Sequence, residues 1–375
     1  MRLRWTWKLG RIAGIEVGIH PSWLIIYALV VTSAIGFTPL FSPELSHRST
    51  IVLGLVAALV LFASVVAHEF AHALVARRLG IPIGGITLFL FGGVATIESE
   101  PNSPADEFRV AIAGPALSVA LAIVFGALYA GTMALGWLWV ATLCAYLALT
   151  NAALAAFNLL PAFPSDGGRV LRSLLWRLNR SQAKATLWAS WVSVVFAGLL
   201  AATGGYFVIA DREMRGLWWV VLGLFLWQAA VVSGRRARVD LALERLHVAD
   251  CMLKTLIPVP ANTMVASFIG EVAGSPGAGY PVVDRGALVG LADVRNTSGL
   301  PFAMWDRTPV SSVMVPIARV PALQGHESAR DALMRLHESG ADGLPVYEGG
   351  ELVGIVTRDS IFRKLHDGAA VRRSA

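Results

Sequence analysis

The sequence has few cysteines and few charged side chains for its length. Two of its 375 residues are cysteine, Cys144 and Cys251, which supply neither a disulfide framework nor a zinc site built from cysteine pairs. Charged residues make up 15% of the chain and hydrophobic residues 55%, and the mean hydropathy is +0.62. The net charge of +6 does not argue for a nucleic-acid partner, because basic membrane proteins owe such charge to their cytoplasmic loops. This composition predicts a polytopic membrane protein that does not bind nucleic acid.

Six apolar runs are long enough to cross a membrane as helices. The first follows a charged N-terminus, and we interpret it as a span because no small-residue cleavage site of a signal peptide stands out. The expected spans cover about 23–37, 51–79, 108–131, 137–160, 187–209 and 217–232. Segment 81–97 is also apolar, but its glycines and β-formers predict a membrane-embedded β-hairpin. A basic amphipathic stretch over 169–184 predicts an interfacial helix.

Basic side chains are unevenly divided between the two ends of these spans. Arg48, Arg212 and Arg215 lie in the loops on one side, whereas the other basic residues that flank the spans lie on the side of the N-terminus. Loops rich in arginine and lysine stay in the cytoplasm. We therefore expect a multi-pass protein of the cell membrane with both termini in the cytoplasm.

A candidate catalytic motif, H-E-x-x-H, lies inside the second span. On a helix, His68 and His72 are one turn apart on the same face, so both imidazoles can bind one metal ion, and Glu69 is the candidate general base. Ionisable side chains at membrane depth are costly unless they are paired or coordinated, which favours a functional site. The alternative is a histidine-carboxylate cluster that only holds helices together.

A second polar group stands at the end of the fourth span. Prolines and glycines break the helix there and present Asp166 on irregular backbone, on the membrane side where the H-E-x-x-H motif lies. A carboxylate from a later loop is an acceptable third zinc ligand. Asn158 precedes it, and its amide could donate to a substrate carbonyl or form an interhelical hydrogen bond.

The C-terminal part is more polar and repeats itself. Residues 280–290 and 344–354 share a pattern at an offset of 64 residues, and 248–252 resembles 310–314. Two copies of such a unit should pack as a pair, because one alone cannot bury its hydrophobic face. We expect a soluble α/β domain with these boundaries: membrane domain 1–238, linker 239–246, repeats 247–306 and 307–368, and tail 369–375.

The catalytic motifs resemble those of a known family. Residues 68–72 and 158–167 are similar to the H-E-x-x-H and N-x-x-P-x-x-P-x-D-G motifs of the site-2 protease family of intramembrane zinc metalloproteases, peptidase M50. Segments 91–93 and 113–115 resemble other segments of that family, and the likeness covers about 9–238.

This resemblance implies a site and a reaction. It implies one zinc ion per chain held by His68, His72 and Asp166, with Glu69 as the general base for peptide hydrolysis. It also implies that Gly92 and Gly93 help to hold a single-span membrane substrate as an extended strand. A polytopic membrane transporter or channel with a metal site remains the alternative, and a scaffold without protease activity is a third.

The repeated part resembles a pair of cystathionine-β-synthase (CBS) domains. Such pairs often bind adenine nucleotides, and Thr357 and Asp359 lie in a stretch similar to the nucleotide motif, with the aspartate one residue early. The alternative is a dimerisation module without a ligand. The resemblance thus predicts a regulatory or dimerising pair and a homodimer through it.

Overall fold

The computed structural model describes residues 6–89, 92–97, 101–272, 279–297 and 299–371. The chain divides into two compact units, Met1–Ala237 and Arg238–Ala375. Each unit is built around its own hydrophobic clusters.

Six long apolar helices dominate the first unit, and each is long and apolar enough to cross a membrane. They are α1 (Trp23–Phe41), α2 (His47–Arg78), α3 (Pro104–Ala134), α4 (Leu138–Asn158), α6 (Gln182–Ile209) and α7 (Gly216–Arg245), with the shorter α5 (Asp166–Asn179) between the fourth and fifth. They confirm the polytopic α-helical fold. The helix α7 continues to Arg245, so the segment 239–246 that we expected as a linker is helical over most of its length.

A four-stranded sheet lies beside these helices. Its strands are β1 (Trp7–Ile12), β2 (Ile15–Ile19), β3 (Ile83–Phe89) and β4 (Gly92–Ile97), in the order β1-β2-β3-β4. Strands β3 and β4 form the antiparallel hairpin expected from segment 81–97. The two N-terminal strands were not predicted, because we treated that segment only as a charged start before the first span.

The sheet packs on the helix that carries the H-E-x-x-H motif. Strand β2 pairs in parallel with β3, and Val17 lies opposite Ile86. Both side chains are buried against Phe70 and Ala73 of α2. The hydrophobic effect therefore fixes the sheet on the face of α2 next to the histidines.

The second unit contains the expected repeat. Its elements are α8 (Val248–Cys251), β5 (Val259–Pro260), α9 (Val265–Val272), β6 (Tyr280–Asp284), β7 (Ala287–Ala292), β8 (Val315–Pro316), β9 (Leu323–Gln324), α10 (Ala329–Ser339), β10 (Gly343–Glu348), β11 (Glu351–Thr357) and α11 (Arg358–Val371). The strand-helix-hairpin order β5-α9-β6-β7 recurs as β9-α10-β10-β11. Three of the four pairs of equivalent elements begin 64 residues apart, at 259 and 323, 265 and 329, and 287 and 351, and the fourth pair, β6 and β10, begins at 280 and 343.

The two copies exchange their leading segments. Strand β8, from the second copy, pairs with β7 of the first, and Leu253, from the first copy, exchanges two backbone hydrogen bonds with Ile355 of β11. Met314 of the second copy lies against Gly290 of the first, and Met252 of the first lies against Gly354 of the second. The expectation that the copies pack as a pair is confirmed, and each copy supplies part of the other's sheet.

This crossed packing predicts that Gly290 does not tolerate a methyl group. A Cβ at this position would lie 2.6 Å from the Met314 sulfur and 2.7 Å from the Val315 carbonyl oxygen, so β8 must shift. Overpacking of this kind costs about 1–3 kcal/mol, which corresponds to roughly 10- to 100-fold faster local amide exchange. In the full chain, Gly290→Ala should accelerate hydrogen exchange at residues 287–292 by that factor.

The matched control for this change is Gly270→Ala. Gly270 lies in α9 and a Cβ there meets nothing within 4 Å. Alanine is the better helix former, so exchange in α9 should slow or stay the same. Equal protection of β7 in the two variants would contradict the crossed packing.

Candidate metal centre

Three ligand atoms from two helices converge in the first unit. His68 and His72 lie one turn apart on α2, and Asp166 is the first residue of α5. The two Nε2 atoms are 3.2 Å apart, and Asp166 Oδ2 lies 3.3 Å from that of His68 and 3.2 Å from that of His72. Within the described residues, this is the one group of three or more histidine, cysteine or acidic side chains close enough to hold a metal ion.

These separations fit a tetrahedral zinc site. With zinc–ligand bonds of about 2.0–2.1 Å, two ligand atoms at the corners of a tetrahedron are roughly 3.3 Å apart. The three measured distances, 3.2 to 3.3 Å, agree with that value. The two nitrogens and one carboxylate oxygen are a donor set typical of a hydrolytic zinc site, which leaves a fourth position open.

Hydrogen bonds on the far side of each imidazole orient the ligand nitrogens. His72 Nδ1 lies 2.6 Å from the Val110 carbonyl oxygen, which can only accept, so Nδ1 donates and Nε2 carries a lone pair in the neutral ring. His68 Nδ1 lies 2.8 Å from Ser118 Oγ. Both imidazoles are buried, at 3% and 4% exposure. The rings are therefore held with Nε2 towards Asp166.

The protonation state of Asp166, which lies outside the six long helices, depends on its neighbours. Burial by itself raises the pKa of Asp166, but positive charge on the neighbouring imidazoles lowers that pKa more, and the net shift is downward from the ordinary value. The side chain is therefore a carboxylate at neutral pH, which is the form that binds a cation.

Helix α3 leaves room at the point where the ligands meet. A Cβ at Gly114 would lie 2.2 Å from the Nε2 of His72 and 2.5 Å from that of His68. Val110, Gly114 and Ser118 follow each other at intervals of four residues and so share one face of α3. In the sequence we noted 113–115 only as a segment that resembles the family. The four-residue spacing of a small and a polar residue was the signal for this face.

Strand β4 passes close to Glu69. A Cβ at Gly93 would lie 2.5 Å from Glu69 Cγ and 3.3 Å from Oε1. Gly92 begins the strand and pairs with Phe89 across the hairpin. Phe91, which carried part of the family resemblance, lies outside the described residues. The structure thus brings Gly93 to the proposed base.

The other candidate residues have local roles in the structure. Asn158 is the last residue of α4, and its amide donates to the Leu154 carbonyl oxygen at 3.0 Å. Thr357 Oγ1, in the second unit, accepts the Ser360 amide at 3.1 Å and so caps α11. Asp359 is exposed on the first turn of that helix. Substrate binding by Asn158 and nucleotide binding by Thr357 and Asp359 stay predictions.

Comparisons with known proteins cover nearly the full chain. The model of peptidase family M50 matches residues 56–136 and 132–202, and that of the CBS domain matches residues 310–367. The chain is 34% identical over 367 residues to "Putative zinc metalloprotease sll0528" of Synechocystis sp., which covers 97% of this chain and 96% of that protein. It is 36% identical over 367 residues to "Putative zinc metalloprotease Rip3" of Mycobacterium tuberculosis, covering 95% and 91% respectively.

A solved structure is also similar in sequence. The site-2 protease from Methanocaldococcus jannaschii is 26% identical, and the match covers 61% of this chain and 95% of that one with a TM-score of 0.39.

The geometry predicts that Gly114 is required for metal binding. A methyl group in Gly114→Ala would occupy the point where the two Nε2 atoms converge, so zinc content should fall from about one ion per chain to below roughly a tenth. Elemental analysis of the purified protein measures this.

Gly126→Ala is the control on the same helix, because a Cβ there meets nothing within 4 Å. It should keep the wild-type zinc content. A Gly114→Ala protein with full zinc would place the metal elsewhere.

Proposed function

The chain belongs to peptidase family M50, the site-2 protease type of zinc metalloprotease, and from this premise we propose that it cleaves a single-span membrane protein in or near its transmembrane segment. The observation that carries the proposal is the triangle of His68, His72 and Asp166, with ligand atoms 3.2 to 3.3 Å apart in a unit of six apolar helices. Because the chain belongs to a family of zinc metalloproteases, we set the transporter hypothesis aside.

The side chains of the site divide the chemistry between them. In this proposal His68, His72 and Asp166 hold one zinc ion, which when bound supplies a Lewis acid and a water of lowered pKa. Glu69, the next residue after the first ligand, takes the proton of the attacking water and delivers it to the leaving amide nitrogen. Asn158 is proposed to donate to the substrate carbonyl oxygen, after release from the Leu154 carbonyl it now contacts.

The substrate must be extended when it is cut. A helical segment keeps its amides hydrogen-bonded and shielded, so the scissile bond has to leave the helix before water attacks it. Strand β4 is at one end of the sheet order, and Gly93 on that strand adjoins Glu69. We propose that the substrate adds as a strand to the edge of β4 that no other described strand occupies, which presents its carbonyls beside the proposed base.

We propose that both termini lie in the cytoplasm of a cell-membrane protein, because most basic residues that flank the spans are on the side of the N-terminus. The CBS pair is proposed as a cytoplasmic regulatory or dimerising module, and the process as regulated intramembrane proteolysis. An adenine nucleotide near Thr357 and the exposed Asp359 is the candidate ligand, since a carboxylate can accept from ribose hydroxyls.

The direct test separates the base from the ligands. Glu69→Gln removes the proton acceptor but no ligand, so cleavage of a co-expressed membrane substrate should fall about 10²- to 10⁴-fold while zinc content stays near one per chain. His68→Ala and Asp166→Ala should lose both zinc and activity. Quantified cleavage products and elemental analysis on the same preparations give the two readouts.

Two results would count against these assignments. Substantial cleavage by Glu69→Gln would show that another group is the base. Zinc content that does not depend on Asp166 would remove the carboxylate from the ligand set and with it the proposed site.

Strand addition to β4 predicts an alternating pattern in the substrate. Along a strand edge, only every second residue points its amide towards the neighbour. Synthetic transmembrane substrates with one N-methylated amide should therefore lose about 3- to 10-fold in kcat/KM at alternate positions around the scissile bond, the effect of one hydrogen bond. A substrate methylated at the far end of its span is the control. Equal losses at all successive positions would argue against a strand on β4.

A further inference from the structure

A buried ion pair joins α3 to α5, the two helices on which Gly114 and Asp166 lie. Arg172 of α5 donates from Nε to Glu107 Oε1 of α3 at 2.7 Å, and its Nη2 contacts the same oxygen. The Glu107 side chain is fully buried and that of Arg172 is 14% exposed. Neither side chain is a proposed metal ligand or proton carrier.

The pair joins the two helices that surround the ligands. Glu107 lies one turn before Val110, whose carbonyl oxygen holds the His72 ring, and two turns before Gly114, which faces both imidazoles. Arg172 lies on the helix whose first residue is Asp166. The position of the carboxylate relative to the imidazoles is therefore coupled to the contact between α3 and α5.

Arg172 also contacts the loop that precedes Asp166. Its guanidinium carbon lies 5.9 Å from the centre of the Phe163 ring, which is within reach of a cation–π contact. The Phe163 amide donates to Ser193 Oγ of α6 at 2.9 Å. The same arginine thus contacts both the loop and α3, while Ser193 holds the loop from the side of α6.

Stability alone is a weak explanation for this pair. Burial of two charges costs much of what their attraction returns, and well-packed apolar side chains often replace such pairs without loss. A planar guanidinium instead restricts geometry. Its N–H groups point in fixed directions and its flat face stacks on rings, so the groups that it contacts can take only a few relative positions.

We propose that Arg172 and Glu107 are positioning residues that hold Asp166 at ligand distance from His68 and His72. This inference rests on the proposed zinc site. Partners outside the ligand shell commonly change metal affinity 10- to 100-fold when they are mutated. The pair acts on the placement of the carboxylate and touches neither metal nor substrate.

The test measures zinc affinity of the purified full chain in detergent, by competition with a chelating indicator. Arg172→Lys keeps the charge but loses the fork and the flat face, so zinc should bind about 10- to 100-fold more weakly. Arg177→Lys is the matched control, because Arg177 is an exposed residue of the same helix. The unfolding temperature of the zinc-free protein should be the same in both variants, since positioning concerns the site and not the fold.

A second variant covers the case in which Arg172→Lys does not fold. Glu107→Gln keeps the shape and an oxygen acceptor but removes the charge, and it should weaken zinc binding at least threefold. The double variant should bind zinc no more weakly than Arg172→Lys, because both changes remove one contact.

The outcomes separate this inference from the proposed function. Wild-type protein that binds no zinc would refute the metal centre itself. Wild-type protein that binds zinc, with affinity unchanged in Arg172→Lys and Glu107→Gln, would refute positioning and leave the metal centre standing. A fall in the zinc-free unfolding temperature with unchanged affinity would show that the pair serves only the packing of α3 and α5.

Discussion

The first unit depends on holding two imidazole nitrogens and a carboxylate oxygen at 3.2 to 3.3 Å from one another. Lone pairs at such distances repel unless a cation lies among them, and the low dielectric of a buried site strengthens that repulsion. Hydrogen-bonding groups on the opposite side of each imidazole ring hold the nitrogens in place. The Val110 carbonyl and the Ser118 hydroxyl fix the imidazoles, and α5 brings the carboxylate.

Helix α2 meets a different neighbour on each of its faces. His68 and His72 face α3 and Asp166, whereas Phe70 and Ala73 pack on the sheet. Glu69 lies against β4 at Gly93. Because a helix turns by about 100° per residue, adjacent residues of the motif point to separate structures. The strand proposed for substrate binding therefore packs on the same helix that carries the proposed base and two of the proposed metal ligands.

The second unit consists of two copies of one repeat that pack on each other. Each copy of the repeat takes the leading segment of the other, so that Leu291 pairs with Val315 and Leu253 with Ile355. The side chain of Met314 packs against Gly290, and that of Met252 packs against Gly354 at the equivalent place in the other copy. Neither copy completes its packing alone, so a change in one sheet reaches the other through direct contacts. The two copies therefore pack as one unit.

The sequence by itself determined the elements whose signals are local. Long apolar runs specified six helices, glycines with β-formers specified the hairpin, and four-residue spacing placed His68 and His72 on one face. The motif around Asp166 marked it as the candidate third ligand because a helix break beside an aspartate is visible in the chain. Tertiary structure decided what depends on distant partners: the strands β1 and β2, the room that Gly114 leaves for the ligands, the approach of Gly93 to Glu69, and the Glu107–Arg172 pair. A short strand or a single charged residue carries no local sign of its partner, because the free energy that favours it comes from contacts between segments far apart in the chain.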